Sequence, residues 1–152
     1  VMGQLNIRPD IYPNQHFQRL VYDVSNLFEF RSAHYATVLG KSGLVLDRAL
    51  IDGAVYFEGG LEEYEKVLRT SVRREYARYK VVICLDVPSE DIYCENKYKN
   101  PNRSEDYAKA RQLGDKIREV WQNHPNFVFV SNDGGWDEKV RKVREAIDKV
   151  LK

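Results

Sequence analysis

The sequence predicts an α/β fold with a mainly parallel sheet, and three observations support this prediction. Amphipathic helical segments alternate with short apolar runs after a first long helix. The apolar runs are bounded by turn residues, which is typical of strands that are covered on both faces. At 152 residues and 17.8 kDa the chain is long enough for a substantial core, so we predict a single domain over 1–152.

Four segments have apolar residues three and four positions apart, the spacing that buries one face of a helix. They cover 15–38, 61–79, 104–124 and 136–152. In the third segment, Ser104 is a good N-cap, and the acidic residues after it favour the start of a helix.

Three apolar runs predict strands, and they cover 43–47, 80–88 and 126–131. The polar stretch 89–103 has no steady period and predicts a loop or a mobile flap. In parallel sheets ligands bind beyond the carboxyl ends of the strands. We therefore expect the chemistry at three strand ends, which are Asp47-Arg48, Asp86 to Ser89 and Ser131-Asn132.

Composition narrows the class of protein. With 24 basic and 23 acidic residues, the net charge of +1 gives no strong nucleic-acid signal. Cys84 and Cys94 form neither a disulfide framework nor a metal-binding pattern, which predicts a reduced, cytoplasmic protein. The apolar runs are strand-sized, so no membrane span is predicted.

Gly40-Lys41-Ser42 matches the last three residues of a phosphate-binding loop. The full pattern G-x-x-x-x-G-K-[ST] follows a strand, precedes a helix and needs a first glycine where this chain has Tyr35. Here a helix precedes the tripeptide and a strand is predicted after it, so the order is reversed. We interpret it as a helix-to-strand turn with Gly40 as a left-handed cap.

Asp47 is the sharpest candidate for chemistry. A carboxylate at a strand end can hold Mg²⁺ or accept a proton from a hydroxyl, and Arg48 supplies a planar cation for a phosphate or carboxylate. The alternative is a capping Asp with a surface Arg. Asp52 is at a plausible distance to return to the same pocket, and it is the weaker candidate.

Lys97, Lys99 and Arg103 could close over a polyphosphate and place a cation against the transferring phosphoryl group. A solvated loop is the alternative interpretation. Other candidates are weaker. The histidines have no partner at metal spacing, so we interpret them as structural or exposed, and the tyrosines near turns are better suited to ordinary packing than to base stacking. These histidines are His16, His34 and His124, and the tyrosines are Tyr12, Tyr56, Tyr93 and Tyr98.

Several stretches together resemble the small AAA-type ATPase/kinase family of P-loop proteins, which is related in architecture to thymidylate and nicotinamide riboside kinases. The most specific is "DRALIDGAVYF", which is similar to a D-R-x-x-x-D-G-x-x-Y pattern at a strand end. The others are "FQRLVYDV", "KVVICLDVPSEDIY", "NRSEDYAKARQL" and "NFVFVSNDGGWDEKVRKV". The resemblance spans nearly the whole chain and implies a P-loop NTPase-like three-layer sandwich.

The resemblance implies roles for individual residues. Asp47 would be the Walker-B-like acid, binding Mg²⁺ or acting as catalytic base, and Arg48 and Asp52 would face the phosphoryl acceptor. Tyr56 completes the same pattern as a substrate-binding residue. The implied cofactors are Mg²⁺ and ATP, and the implied partners are a nucleotide and a small-molecule acceptor.

Two further roles come from the second half of the chain. Arg103 would be the catalytic and nucleotide-binding arginine of a lid over about 89–111, and Asn132 would lie in the loop that borders the base. Gly114 departs from the pattern, because a carboxylate is common at that position.

The family's first strand and Walker A loop have no counterpart in the sequence, so we expect this N-terminal βα unit upstream of Val1. The sequence thus indicates an ATP-dependent phosphotransferase or NTPase. The alternative is a degenerate P-loop domain with an interaction or regulatory role. A homo-oligomer is compatible with both.

Overall fold

The computed structural model describes residues 14–97 and 106–151, and the chain forms two compact units within Val1–Ala77 and Arg78–Lys152. The first unit contains only helices among its described residues. They are α1 (Asn14–Val38), a 3-10 helix (Leu50–Tyr56), α2 (Gly60–Leu68) and α3 (Val72–Tyr76).

The 3-10 helix is the centre of the first unit, because α1, α2 and α3 all contact it. Tyr64 of α2 is fully buried beside it, and its ring meets the edges of Phe57 and Tyr22 at centroid distances of 5.7 and 6.1 Å. The core of this unit consists of Leu50, Ile51, Ala54, Phe57, Tyr64 and Leu68. The short helix is therefore held by the burial of its apolar side chains.

Helix α1 ends as the sequence predicts. Gly40 has φ +63°, its amide donates to the Thr37 carbonyl at 3.0 Å, and the Lys41 amide donates to the Ala36 carbonyl at 2.9 Å. These hydrogen bonds satisfy the Thr37 and Ala36 carbonyls at the end of the helix, as a left-handed glycine cap does. The prediction of Gly40 as a helix cap is confirmed.

The predicted helix 61–79 is in fact two helices. Arg69 adopts a left-handed conformation with φ +55°, and Ser71 begins α3 by accepting a hydrogen bond from the Arg74 amide at 3.2 Å. Glu75 of α3 is buried and accepts hydrogen bonds from Tyr22, at 2.9 Å, and from Thr70. An N-cap serine and a buried carboxylate therefore set the boundary that apolar spacing alone did not reveal.

The predicted strand 43–47 is wrong. Residues 43–46 pair with no other strand among the described residues, and Leu44, Val45 and Leu46 are exposed by 43%, 82% and 36%. A strand requires ladder hydrogen bonds to a neighbour as well as an apolar sequence. Asp47 consequently follows an irregular segment and not a buried strand.

The second unit contains the described sheet. Its elements are β1 (Val82–Leu85), α4 (Glu90–Lys97), α5 (Tyr107–Trp121), β2 (Phe127–Val130) and α6 (Gly135–Leu151). The two strands are parallel, with Val82 opposite Phe127 and Leu85 opposite Val130. Both predicted strands in this half of the chain are confirmed in shortened form, and a parallel α/β arrangement is confirmed at the scale of this pair.

The interior of the second unit is built around Trp121. The rings of Tyr79 and His124 meet it edge-on at 5.6 and 5.7 Å. His124 Nδ1 accepts from the Asn126 amide at 3.2 Å, so its Nε2, 3.0 Å from the Tyr79 carbonyl, carries the proton and donates. His124 is thus a packing residue of this interior, in agreement with its interpretation as structural or exposed.

The predicted loop 89–103 is wrong over its first half, because α4 occupies Glu90–Lys97. Tyr93 is buried and packs on Tyr107 of α5 at a centroid distance of 5.7 Å. A single buried aromatic residue does not produce the three-to-four spacing of apolar residues by which a helix is predicted, and α4 was therefore not predicted. Residues 98–105, including the predicted cap Ser104, lie outside the described residues, and Asp106 caps α5 by accepting from the Lys109 amide at 2.7 Å.

Candidate functional site

The carboxyl ends of β1 and β2 lie at the same edge of the sheet, because the strands are parallel. Asp86 and Val87 follow β1, and Ser131 and Asn132 follow β2, as the sequence predicts. The Asp86 amide donates to the Val130 carbonyl at 2.9 Å and extends the ladder by one bond. The polar side chains of Asp86, Ser131 and Asn132 therefore lie at the end of the hydrogen-bonded ladder between the two strands.

Lys139 of α6 joins the two strand ends. Its Nζ donates to the Asp86 carbonyl at 3.1 Å and to Asn132 Oδ1 at 2.6 Å, while Asn132 Nδ2 donates to the Val87 carbonyl at 2.5 Å. Both polar atoms of the Asn132 amide are engaged by these bonds. Asn132 therefore fixes the loop after β2 to the loop after β1.

Helix α5 packs against the Asp86-Val87 segment on the side opposite Lys139 through Arg111 and Gly114. Arg111 forms a salt bridge of 3.1 Å with Asp86 Oδ1, and both side chains are partly exposed. A Cβ at Gly114 would lie 2.7 Å from Val87 Cγ2, so a side chain at this position does not fit without movement. The absence of a carboxylate at Gly114 has a steric explanation, which is the close approach of α5 to Val87.

In the first unit, Asp47 and Arg48 stand at an exposed bend before the 3-10 helix. Arg48 has φ +85°, a conformation that side chains other than glycine rarely adopt. Such a conformation costs on the order of 1–3 kcal/mol and is concentrated at functional positions. The strain lies at a residue that the sequence had singled out for phosphate or carboxylate binding.

Asp52 and Tyr56 have local structural roles in the 3-10 helix. Asp52 Oδ2 accepts a hydrogen bond of 3.2 Å from the Ala49 amide, and the Asp52 amide donates to the Ala49 carbonyl at 3.1 Å, so Asp52 ties down the start of the helix. Tyr56 is the last residue of the helix, its side chain is exposed, and its carbonyl accepts from Asn14 Nδ2 at 2.7 Å. The D-R-x-x-x-D-G-x-x-Y pattern thus covers a bend and the short helix after it.

No group of three or more His, Cys, Asp or Glu side chains forms a potential metal site in residues 14–97 and 106–151. Mg²⁺ is usually held by one or two carboxylates, waters and substrate phosphates, so a single exposed Asp47 fits this ion. The predicted lid residues Lys99 and Arg103 lie outside the described residues.

Sequence reasoning missed Lys139 and Arg111, which are the cations that contact the Asp86 segment. Both lie on amphipathic helices as ordinary-looking surface charges, and their spacing carries no motif. Among the minor candidates, His16 and His34 are exposed and Tyr93 is buried, while Tyr12 and Tyr98 lie outside the described residues.

A family comparison identifies the chain. The model of the family described as "AAA domain" matches residues 14–139, which span most of the sequence and both units. The chain belongs to this AAA domain family. Comparison with curated proteins and with solved structures gave no match.

Membership of this family identifies a P-loop NTPase-type domain and indicates nucleotide binding. The matched range contains Asp47 through Tyr56 as well as Asn132, and it ends at Lys139. Within the described part of the AAA domain, no helix has the length and hydropathy that a bilayer span requires.

Proposed function

We propose that this AAA domain belongs to an ATP-dependent phosphotransferase or NTPase that acts with Mg²⁺ on a small-molecule acceptor. The observation that carries the proposal is the family match over residues 14–139. It is supported by the strained bend at Arg48, which stands beside an exposed carboxylate within the matched range.

In this proposal Asp47 holds Mg²⁺ or accepts the proton of the acceptor hydroxyl. Bound Mg²⁺ would neutralise negative charge on the β- and γ-phosphates. Arg48 follows Asp47 directly and offers a planar guanidinium to a phosphate or carboxylate of the acceptor. Tyr56 is exposed and offers a hydroxyl and a ring face to the same acceptor.

Asp52 has a more restricted role, because one carboxylate oxygen already accepts from the Ala49 amide. We propose Asp52 as the weaker contact for the acceptor, with its side chain oriented by this bond. For the second half of the chain we propose Arg103 as the lid arginine, and Asn132 as a residue that shapes the loop bordering the base.

The triphosphate needs a phosphate-binding loop, and Gly40-Lys41-Ser42 is unsuited to this role. It stands at the carboxyl end of α1, where the helix dipole presents partial negative charge, whereas phosphates bind at helix amino termini. No complete G-x-x-x-x-G-K-[ST] pattern occurs in the sequence. We therefore propose that the loop is supplied by protein sequence upstream of Val1.

Calorimetry with Mg·ATP tests this proposal on the full natural protein and on the 152-residue chain. We expect binding by the full protein and much weaker binding by the 152-residue chain. Lys41→Ala in the full protein is the matched control, and it should leave the affinity unchanged. Loss of binding in Lys41→Ala would contradict our assignment of the tripeptide, and a full protein that binds no nucleotide would favour the non-catalytic alternative.

A further inference from the structure

Most glycines that the structure describes are required by the fold. Each of these either has a positive φ, which favours glycine, or stands where a Cβ would lie 2.9 Å or less from a neighbouring side-chain atom. They are Gly40, Gly59, Gly60, Gly114, Gly134 and Gly135. Gly43 and Gly53 are the two described glycines that meet neither condition.

Gly53 differs from Gly43 because it lies inside a regular element. Gly43 is exposed in an irregular segment, whereas Gly53 is in the interior of the 3-10 helix, where glycine loses more conformational freedom on folding than any other residue. Among the described residues, a Cβ at Gly53 would meet only Gln18 Oε1 and Tyr64 Cε2, both at 3.8 Å. This is an ordinary van der Waals distance, so alanine would fit and would favour the helix. The fold therefore gives no reason for glycine at this position.

Gly53 lies within the segment that is proposed to contact the acceptor. It follows Asp52 directly, and Tyr56 is one 3-10 turn further on, so Gly53 and Tyr56 lie on the same face of the helix. Gly53 is partly exposed, and the partly exposed side chain of Gln18 beside it offers a carboxamide with both donor and acceptor groups. The buried residues of the next positions around the helix are Ile51, Ala54 and Phe57.

We propose that Gly53 is a specificity-determining residue, at which the small-molecule acceptor approaches the backbone and occupies the space that a side chain would take. The inference rests on the proposed function, since the acceptor is the one on which this AAA domain acts. Glycine permits close approach of a ligand to the backbone. A residue that is unfavourable for its element, with no compensation in the packing around it, is expected where function determines the choice.

Gly53→Ala in the full natural protein tests this inference, because the substitution should improve stability and impair use of the acceptor. The melting temperature should rise by about 1 to 4 °C, since alanine fits the position and restricts the unfolded chain. The KM for the acceptor should rise by about 5- to 150-fold, the effect of forcing a methyl group into a packed contact. The Kd for Mg·ATP should stay unchanged. Gly43→Ala is the matched control, and it should change neither KM nor Kd.

The acceptor probes are thymidine monophosphate and nicotinamide riboside, the acceptors of the kinases to which the sequence is related in architecture. ADP release with each probe measures KM, and calorimetry measures Mg·ATP binding. If Gly53→Ala has the KM of the wild type, the acceptor contact is refuted while the proposed function stands. A lower melting temperature of Gly53→Ala would show that the fold itself requires the glycine, and it would refute only this inference. If the wild type phosphorylates neither probe, the proposed phosphotransferase activity and this inference are refuted together.

Discussion

Two apolar runs that look alike in the sequence have different fates in the structure. Val82–Leu85 pairs with Phe127–Val130 and forms β1 of a parallel sheet, whereas residues 43–46 remain unpaired among the described residues and are exposed. Hydrophobicity and turn boundaries are equally favourable in both runs. The two runs differ in whether a partner strand lies beside them, because a strand is stabilised by hydrogen bonds to its neighbour and by side-chain contacts across the sheet.

The acidic residues that follow these runs differ in the same way. The backbone of Asp86 continues the ladder and its carboxylate meets Arg111, while Asp47 stands in an exposed bend beside the strained Arg48. The Asp86 segment is thus held by the fold of its own unit. The Asp47 segment has an unusual backbone conformation at Arg48, which is the pattern expected of a functional segment.

The largest effect is expected from Asp47→Asn in the full natural protein. Asn keeps the size of Asp, and Asp47 is exposed and caps no described helix, so the free energy of unfolding should change by less than about 1 kcal/mol. It cannot carry the charge that binds Mg²⁺ or accepts a proton, so turnover should fall roughly 10²-fold or more. Steady-state rates with ATP, together with thermal unfolding, measure both quantities.

Asp148→Asn, an exposed carboxylate near the end of α6, is the matched control and should leave the rate unchanged. An Asp47→Asn protein that melts early but keeps its rate per folded molecule would show that Asp47 is structural. The contrast between Asp47 and Asp86 would then have no functional meaning.

Lys139→Met tests the other side of the comparison, which is the network that joins the two strand ends. The substitution keeps the length of the side chain and leaves the Asp86 carbonyl and Asn132 Oδ1 without their donor. Loss of a partner for partly buried acceptors costs about 1–3 kcal/mol. The midpoint of urea unfolding should therefore fall with little change in slope.

Lys149→Met, in the exposed last turn of α6, is the control and should change stability by less than about 0.5 kcal/mol. Equal midpoints for the two variants would mean that the strand ends do not depend on Lys139.

The sequence predicted the elements whose signals are local. The long helix α1 and its Gly40 cap, the strands β1 and β2, and the final helix α6 follow from spacing and turn residues that act within a few positions. The position of Asn132 at a strand end was predictable for the same reason.

The predictions that failed depended on contacts with distant parts of the chain or on a single residue. Whether 43–47 pairs depends on a distant strand, and α4 is anchored by the single buried Tyr93. Lys139 could not be found because the carbonyls that it binds are brought together only by the parallel pairing of β1 and β2. The roles of Asp47 and Arg48 stay predictions.

Gly114→Ala tests the close approach of α5 to the chain after β1, with a smaller expected effect. The new Cβ would lie 2.7 Å from Val87 Cγ2, and overpacking of this kind costs about 1–3 kcal/mol. Ala is better than Gly in a helix by about 1 kcal/mol, so the net loss should be about 1 kcal/mol. In a Val87→Ala background the clash is removed and the same substitution should stabilise the protein. A stabilising Gly114→Ala in the wild-type background would contradict the close approach.

The smallest effect is expected at the exposed ion pairs on the surface of α6. Glu138 and Glu145 bind Arg141, each at 2.5 Å, and the hydrogen bonds from Arg141 lower the pKa of Glu138 below its ordinary value of 4.5. A lowered carboxyl pKa in the folded state stabilises the protein above the ordinary value, and this contribution disappears as the pH falls through the lowered pKa. Because the pair is exposed, the effect should be small and should weaken with salt. Glu138→Gln should therefore lower the melting temperature slightly at pH 7 and leave it unchanged at a pH well below 4.5, where the wild-type carboxyl is also protonated. A difference between the two proteins that is as large in acid as at neutral pH would show that Glu138 contributes by packing rather than by charge.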